Sequence, residues 1–228
     1  MASTEVEIVN HALSLLGNLK HITAVGSGTV AELTDTSAKV VLAQQFFDQD
    51  RDALLRMHDW RFARKYTTLT QVDDGTGEVW IDEWDSAYAY PTDCIKIRSI
   101  LKGDTYTSIP FGLPSLRNPE GVWRYEVKVH DSAKVIMSDI PPADAKMEYT
   151  ERVEDVTRWL ANPHFTEALA WRLAWHFAPS LHMDRSAQDH AYAMHMRTFQ
   201  WAQAYDINED NPYVSERKQS KYISARFR

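Results

Sequence analysis

The longest amphipathic stretch of the chain runs from Ala38 to Ala63 and predicts a helix of about six turns. Its apolar residues share one side at helical pitch: Val40, Ala43, Phe46, Phe47, Ala53, Leu54 and Met57. Its polar residues fall on the opposite side: Gln45, Asp48, Gln49, Asp52 and Arg56. Asp35 or Thr36 can cap the start, and an apolar hook, Trp60–Ala63, follows the end. The pattern predicts one buried and one exposed face.

Helical periodicity also marks the N-terminal segment and the last third of the chain. Thr4–Glu7 has the spacing of a capping box, and apolar residues then recur at helical intervals as far as Gly17. Later in the chain, Asn162–Pro163 is typical of a helix start and Pro179 of a helix end. A final helix is predicted from Ser186 to Asp206.

Both of the later helices carry apolar residues in two stripes. In the first, Ala168, Trp171 and Trp175 share one side, and Leu169, Leu173 and Phe177 share the other. In the last, Tyr192, Met196 and Phe199 are opposed by Met194, Trp201 and Tyr205. A helix that is apolar on two sides is covered on two sides, so it is either central to a bundle or pressed between subunits. In the second case, the residues assigned to the subunit interface are Trp171, Leu173, Trp175, Phe177, Met194, Trp201 and Tyr205.

Between the helices the apolar period changes to two. Val122–His130 and Lys146–Val153 alternate cleanly, and Ile95, Ile97 and Leu101 mark another strand after the turn Tyr90–Asp93. We therefore predict an α+β, mostly α fold: a helical bundle interrupted by a small antiparallel β module, with an extended C-terminal arm. The predicted segments are 1–66 and 154–210 for the two parts of the bundle, 67–153 for the β module and 211–228 for the arm.

Composition shows that the 228-residue chain can bury a full core, because 44% of its residues are apolar. Its eight tryptophans and ten tyrosines fit core filling or protein–protein contacts. The single cysteine, Cys94, excludes an internal disulfide and is interpreted as a small core residue. Met1–Glu7 lacks a signal-peptide pattern, and no apolar run approaches the roughly 20 residues of a membrane span. We expect synthesis in the cytoplasm and no membrane partner.

The net charge of −7 is unevenly distributed. After Asn211, five cations and one carboxylate give the arm a net +4, which leaves −11 for the rest of the chain. The acidic body disfavours nucleic acid, so an acidic protein surface is the preferred partner of the arm, with nucleic acid as the alternative. The basic and apolar residues assigned to partner binding are Tyr213, Arg217, Lys218, Lys221, Tyr222, Ile223, Arg226, Phe227 and Arg228.

The sequence predicts no catalytic residue, cofactor or metal site. It contains no phosphate-binding loop and no G-x-S-x-G motif, and its nine histidines are not in ligand spacing. Asp206–Asp210 imitates the start of a calcium loop, but Asn211 and Arg217 occupy the positions that need glycine and glutamate. The clustered carboxylates Asp82, Glu83 and Asp85 are interpreted as a solvated loop, with an inter-subunit or divalent-ion contact as the less favoured alternative.

Five spacings taken together resemble one family. Asn10–Gly17 resembles an N-x-A-L-x-x-L-G opening, Arg51–Ala63 an R-D-x-L-L-R-x-H-x-W-x-F-A signature, Tyr90–Cys94 a Y/L-P-x-D-C turn, Phe165–Ala178 an F-x-x-A-L-x-x-x-L-A helix, and Ala204–Glu209 an A-x-D-x-x-E close. In this order along the chain, they are similar to the head-to-tail adaptors of short-tailed bacteriophages, the tail tubular protein A family.

The resemblance implies a structural virion protein of the phage neck without catalytic residues. It implies a ring, as a dodecamer, between the portal protein and a tail nozzle similar to tail tubular protein B, through which DNA passes without sequence-specific binding. On this basis we expect the two-striped helices to contact neighbouring subunits, the arm to dock on the portal and the β module to face the next tail component. Two other classes stay open: a DNA-binding packaging or head-completion factor and, ranked last, a wall- or saccharide-degrading enzyme using the Asp82, Glu83 and Asp85 carboxylates.

Overall fold

The computed structural model describes residues 4–18, 20–73, 84–102, 122–130, 132–155, 158–159, 162–181 and 183–208. Within these residues it contains four α-helices, and the strands lie between the second and third helices in sequence. The helices are α1 (Glu5–Leu15), α2 (Ala38–Met57), α3 (Pro163–Ser180) and α4 (Arg185–Asn208). The predicted α+β, mostly α fold is confirmed. The C-terminal arm and the carboxylates of Asp82 and Glu83 lie outside the described residues.

Eight strands in the described ranges form two antiparallel sheets. They are β1 (Arg64–Thr68), β2 (Gln71–Asp73), β3 (Ser86–Ala89), β4 (Cys94–Lys102), β5 (Val122–Trp123), β6 (Glu126–His130), β7 (Ala133–Ser138) and β8 (Ala145–Glu151). One sheet has the order β1-β8-β4-β5 and the other the order β2-β3-β7-β6. The strands begin three residues before the predicted start of the β module.

Both ends of α1 follow from the sequence as predicted. Thr4 is the N-cap, and its hydroxyl accepts a hydrogen bond from the Glu7 N–H at 3.2 Å. At the other end, the Gly17 N–H donates to the Ser14 carbonyl and the Asn18 N–H to the Leu13 carbonyl, both at 2.9 Å. This Schellman ending requires the left-handed conformation that Gly17 adopts at φ +76°.

The long helix α2 differs from its prediction at both ends. Its N-cap is Ser37 rather than Asp35 or Thr36, because the Asp35 carboxylate accepts the Ser37 N–H at 3.1 Å in a turn that precedes the helix. The helix stops at Met57, whose side chain was predicted to be buried but is 44% exposed. At His58 the backbone becomes extended, so Met57 lies where the helix leaves the core.

Helix α3 begins where the sequence predicts, with Asn162 as the N-cap and Pro163 at the first helical position. The Asn162 side chain does not cap the helix, however, since its Nδ2 donates to the Arg158 carbonyl at 3.3 Å. The helix continues one residue beyond Pro179. Helix α4 extends the prediction for the last helix by one residue at its start and by two at its end.

Helix α3 is the centre of the bundle and packs against α1, α2 and α4. Of the two alternatives for its two apolar stripes, the structure selects the bundle centre. Trp171, Leu173 and Phe177 were predicted to contact a neighbouring subunit, but they are at most 8% exposed and belong to the core of their own chain. This part of the predicted interface is corrected, because the other helices already cover these three side chains.

The apolar hook that follows α2 joins the bundle to the sheets. Trp60 is 1% exposed, its Nε1 donates to the Leu54 carbonyl at 2.9 Å, and its ring contacts Phe165 edge-on at 5.1 Å between centroids. The hook ends at Ala63, whose carbonyl accepts the Glu151 N–H of β8 at 2.8 Å. The core of the bundle therefore continues into the backbone hydrogen bonds of the first sheet.

The segment 122–130 was predicted as one strand but is divided between the two sheets. β5 pairs with β4 in the first sheet and β6 pairs with β7 in the second, so the chain crosses between the sheets at Arg124–Tyr125. Val127 and Val129, which alternate on the same side as Trp123 in the sequence, are 42% and 70% exposed. They lie on β6, the edge strand of its sheet, on a face that the described elements leave exposed.

The polar side of β8 is buried, although its alternation predicts a solvent-facing side. Glu148 and Thr150 are at most 2% exposed. The Glu148 carboxylate lies 3.3 Å from the Arg64 guanidinium of β1, and the Thr150 hydroxyl accepts from Arg98 Nε of β4 at 3.0 Å. Arg98 also donates to the Trp60 carbonyl. Charged side chains of the neighbouring strands thus cover this face against the hook.

Candidate interaction surfaces and their supporting contacts

The motif residues behind the family resemblance make contacts inside the fold. In the first motif, the Asn10 side-chain amide binds both backbone groups of Ile22: Nδ2 donates to the carbonyl at 2.8 Å, and Oδ1 accepts the N–H at 2.7 Å. These paired bonds fix the connection between α1 and α2 on the surface of α1. The Asn10 amide replaces the backbone partners that a loop lacks.

Two other motifs meet where α4 ends against the hook. The Asp206 side chain is 6% exposed, and its Oδ2 lies 2.9 Å from Nε2 of His58. The second carboxylate oxygen accepts the Arg61 N–H at 3.2 Å, and the Arg61 guanidinium donates to the Ile207 carbonyl at 3.1 Å. The last turn of α4 is therefore bound to the segment between α2 and β1.

The turn before β4 is fixed by an ion pair with β1. The Asp93 carboxylate lies 2.6 Å from the Lys65 ammonium and accepts a hydrogen bond from the Tyr149 hydroxyl at 3.1 Å. Burial opposes ionisation of Asp93, but these two donors outweigh it and hold the pKa of the carboxyl below its ordinary value. Burial, together with the Asp93 charge, raises the pKa of Tyr149 to about 12. Lys65 also binds Glu151 at 2.8 Å, which ties the turn to two strands of the first sheet.

A buried ion network that the sequence pattern did not predict joins α2 to α3. Asp50 of α2 is 2% exposed, and its two oxygens lie 2.9 Å from Arg172 Nε and 2.7 Å from His176 Nδ1. The partners are one helical turn apart on α3, and the His176 ring stacks on Phe46 with centroids 5.0 Å apart. A cation and a histidine at i and i+4 on an otherwise apolar helix were the available signal.

His195 extends this network to α4. Its side chain is 1% exposed, and its Nδ1 lies 3.1 Å from the Ala168 carbonyl, so Nδ1 carries the proton. Nε2 then faces Arg172 Nη1 at 3.5 Å as the acceptor. Burial lowers the pKa of His195, and the Arg172 charge lowers it further against the effect of the Ala168 hydrogen bond. A neutral histidine therefore connects α4 to α3.

Helix α4 exposes aromatic side chains on both sides of its buried face. The buried face is formed by Ala191, His195, Thr198, Phe199, Ala202 and Asp206. We define the first flank as Trp175, Tyr192 and Met196. Tyr192 is 47% exposed, and its ring centroid lies 5.3 Å from that of the half-buried Trp175 of α3. This flank continues into an open groove beside Pro179 and Met183.

The second flank lies on the other side of the buried face and comprises Met194, Trp201 and Tyr205. Trp201 and Tyr205 are 47% and 55% exposed. The Tyr205 ring stacks on His164 of α3 with centroids 3.8 Å apart, and the Arg197 guanidinium lies 4.6 Å from the centre of the Trp201 ring. These contacts hold the two rings in place while leaving about half of their surface exposed.

Some residues of the predicted subunit interface are therefore accessible on the surface of the chain. Trp201 and Tyr205 are exposed, and Trp175 and Met194 are half-buried. Tyr192 was predicted in an apolar stripe but was not assigned to the interface, and it adds to the first flank. At about 100° of rotation per residue, Tyr192 and Trp201 lie about 180° apart around α4. The two flanks are therefore separate surfaces.

Asp85 and Cys94 are two candidate positions from the sequence that lie within the described residues. Asp85 is exposed. Cys94, predicted as a core residue, is half-buried beside Tyr90, and burial raises the pKa of its thiol. In the same part of the chain, no group of three or more His, Cys, Asp or Glu residues could hold a metal ion. Within it, too, each helix is too short or too polar to cross a membrane.

Comparison with known proteins gave no match: neither a protein-family model nor a curated protein shows significant similarity to this chain.

Proposed function

We propose that this chain is a structural virion protein, a head-to-tail adaptor that forms a ring between the portal protein and the tail nozzle of a short-tailed phage. The observation that carries the proposal is the pair of separate aromatic flanks on α4. A closed ring is built from a heterologous interface, in which one surface of a subunit meets a different surface of the next. The first and second flanks supply two such surfaces.

The aromatic character of the flanks supports protein contact. Tyrosine and tryptophan are enriched at protein interfaces because a large apolar ring carries one polar group at its edge. Tyr192, Trp201 and Tyr205 each leave about half of their surface exposed. Burial of such rings by a neighbouring subunit is favourable at roughly 25 cal/mol per Å² of apolar surface. Each subunit would gain this stabilisation at both of its interfaces.

The positions of the resembling motifs also support the proposal. Motifs that are far apart in sequence meet in the fold, as His58 does with Asp206, and the turn motif meets β1 through Asp93 and Lys65. In a structural protein, residues that define the family are expected to hold the subunit in shape rather than to line a reaction centre. The contacts of Asn10, His58, Asp93 and Asp206 fit that role.

The distribution of charge along the chain is compatible with passage of DNA through the proposed ring. Outside the arm the chain carries a formal net charge of −11, which disfavours binding of phosphate groups to the walls of a channel. The arm after Asn211 carries +4 and is proposed to dock on an acidic surface of the portal. In this arrangement the β module faces the tail nozzle, and twelve subunits complete the ring in the virion.

Sedimentation with the portal protein of the same phage tests the proposal. The full chain and a form cut after Asp210 are each mixed with the assembled portal and spun. Co-sedimentation of the full chain in a fixed ratio, with loss on truncation, is the expected result. Binding that survives truncation would keep the adaptor and reject the arm as its anchor. Failure of both forms to bind would reject the adaptor and favour the DNA-binding factor.

A further inference from the structure

A groove with a volume of about 380 Å³ lies between the end of α2 and the turn before β4. Its charged residues are Asp52 and Arg56 of α2, Lys134 of β7 and Arg152, which follows β8. Tyr90 and Pro91 line it as an apolar wall. Neither flank of α4 contributes to the groove, so it is a separate surface.

The groove is positively charged although the chain is acidic. Its one lining carboxylate, Asp52, is already bound by Arg152 at 2.8 Å and, from the buried side, by Arg51 at 2.9 Å. Arg56 and Lys134 make no ion pair within the described part of the chain. Two cations with free N–H donors therefore remain in a concave surface, where the field is stronger than over a convex one.

The cations are held in place without losing their ability to bind an anion. Arg56 Nη2 donates to the Ile95 carbonyl at 3.2 Å, which leaves its other N–H groups available. The Lys134 ammonium lies 5.4 Å from the centre of the Tyr90 ring. Side chains that are already ordered lose less conformational entropy when a partner binds.

We propose that this groove binds an acidic peptide segment of a protein partner. Carboxylates of the segment pair with Arg56 and Lys134, and an apolar side chain between them packs against Tyr90 and Pro91. Arginine suits a carboxylate because its planar guanidinium can donate two parallel hydrogen bonds. The apolar wall favours a peptide over a free phosphate, which has no apolar surface to bury. The volume is near the lower end of roughly 300–1,000 Å³ for ligand sites and fits a few side chains.

The test measures fluorescence anisotropy of a fluorescein-labelled acidic peptide, Glu-Trp-Glu-Glu, titrated with the full chain. Saturable binding at low salt is expected, weakening at about 150 mM salt. The peptide Gln-Trp-Gln-Gln is expected to bind about tenfold more weakly, since it lacks the charges. Replacing both cations, Arg56→Ala with Lys134→Ala, is expected to weaken binding of the acidic peptide by about tenfold or more.

The control removes two cations elsewhere, Lys20→Ala with Arg185→Ala, and is expected to leave binding within about twofold. A swap variant, Arg56→Glu with Lys134→Glu, is expected to prefer Lys-Trp-Lys-Lys over the acidic peptide. Because that preference is measured on one protein, its reversal does not depend on equal stability of the variants. Unchanged binding by the alanine variant, or no reversal by the swap variant, would overturn the proposal. So would displacement of the peptide by inorganic phosphate or single-stranded DNA at lower concentrations than by unlabelled peptide.

Discussion

His58 Nε2 and Asp206 Oδ2 lie 2.9 Å apart, joining two residues that are 148 positions apart in the sequence. His58 directly follows α2, and Asp206 is in the last turn of α4. The strands lie between these two helices in sequence. The contact therefore joins the two parts of the helical bundle that the strands separate in sequence. It also places the end of α4 beside the hook that leads into β1.

Removal of the Asp206 carboxylate is expected to destabilise the fold. Asp206→Ala leaves His58 and the Arg61 N–H without their partner, and we expect a loss of about 2 kcal/mol in the free energy of unfolding. Chemical denaturation followed by circular dichroism measures it. Asp189→Ala on the same helix is the control, since that side chain is 74% exposed, and it should change stability by less than about 0.5 kcal/mol. Equal effects of the two substitutions would contradict the structural role of Asp206.

The buried network at Asp50 predicts a larger effect. Asp50→Ala leaves the Arg172 guanidinium without its buried counter-charge, and we expect a loss of about 3–5 kcal/mol. Asp48→Ala is the matched control on α2, because Asp48 is 74% exposed and its pair with Arg51 is worth at most about 1 kcal/mol. Denaturant titration of both variants measures the difference. A loss below about 1 kcal/mol for Asp50→Ala would show that the network does not stabilise the bundle.

The lowered pKa of His195 predicts a pH dependence of stability. In the unfolded chain this histidine binds a proton near its ordinary pKa of 6.5, whereas in the fold it does so only at lower pH. The unfolded state therefore holds more protons between these two values, and stability falls as the pH falls below about 6.5, by up to about 1.4 kcal/mol per pH unit. The stability due to this group is fully present above that pH.

The measurement compares unfolding free energies of the natural chain and of His195→Gln between pH 7.5 and pH 5. The difference between the two curves isolates this group from the other eight histidines. We expect the variant to be less stable at high pH and to lose less stability on acidification. Parallel curves would show that His195 is not the group responsible.

Because the two flanks of α4 are proposed to form the contacts between subunits, a charge placed on either flank is expected to prevent ring assembly. Tyr192→Glu and Trp201→Glu each introduce a charge on one flank, and each is expected to block rings on the portal without changing the melting temperature by more than a few degrees. Val72→Glu is the control, since Val72 is 57% exposed and belongs to β2 rather than to α4. Mass photometry measures the assemblies.

Mixing the two flank variants gives the sharper test. One interface remains possible in the mixture, between the intact second flank of one variant and the intact first flank of the other. The mixture is therefore expected to form pairs that do not grow further. Complete rings formed by either variant alone would show that the flanks of α4 do not form the contacts between subunits.

The ends of the helices were largely predictable because they depend on local chemistry. The Thr4 cap, the Gly17 ending and the Asn162–Pro163 start each involve residues a few positions apart. The buried Asp50 was not predictable from its own helix, because its partners Arg172 and His176 follow 122 and 126 residues later. A charged residue in an amphipathic pattern is assigned to solvent unless its partner is known.

Contacts with residues distant in sequence also explain why the strands were only partly predictable. The alternation in 122–130 correctly predicted β structure. It carried no information on which sheet each half of the segment joins. Glu148 alternates like a solvent-facing residue, and only its contact with Arg64 on β1 reveals a covered face. For the candidate site, the two-stripe pattern located the apolar surface of α4 but did not show that α3 would cover Trp171, Leu173 and Phe177 in its own core.

Electron microscopy of the portal with and without this chain tests the proposed adaptor function most directly. We expect additional density that forms a closed ring of twelve subunits coaxial with the portal, with α4 at each contact between neighbours. Absence of added density when the full chain is present in excess, or attachment of separate subunits without lateral contact, would contradict it.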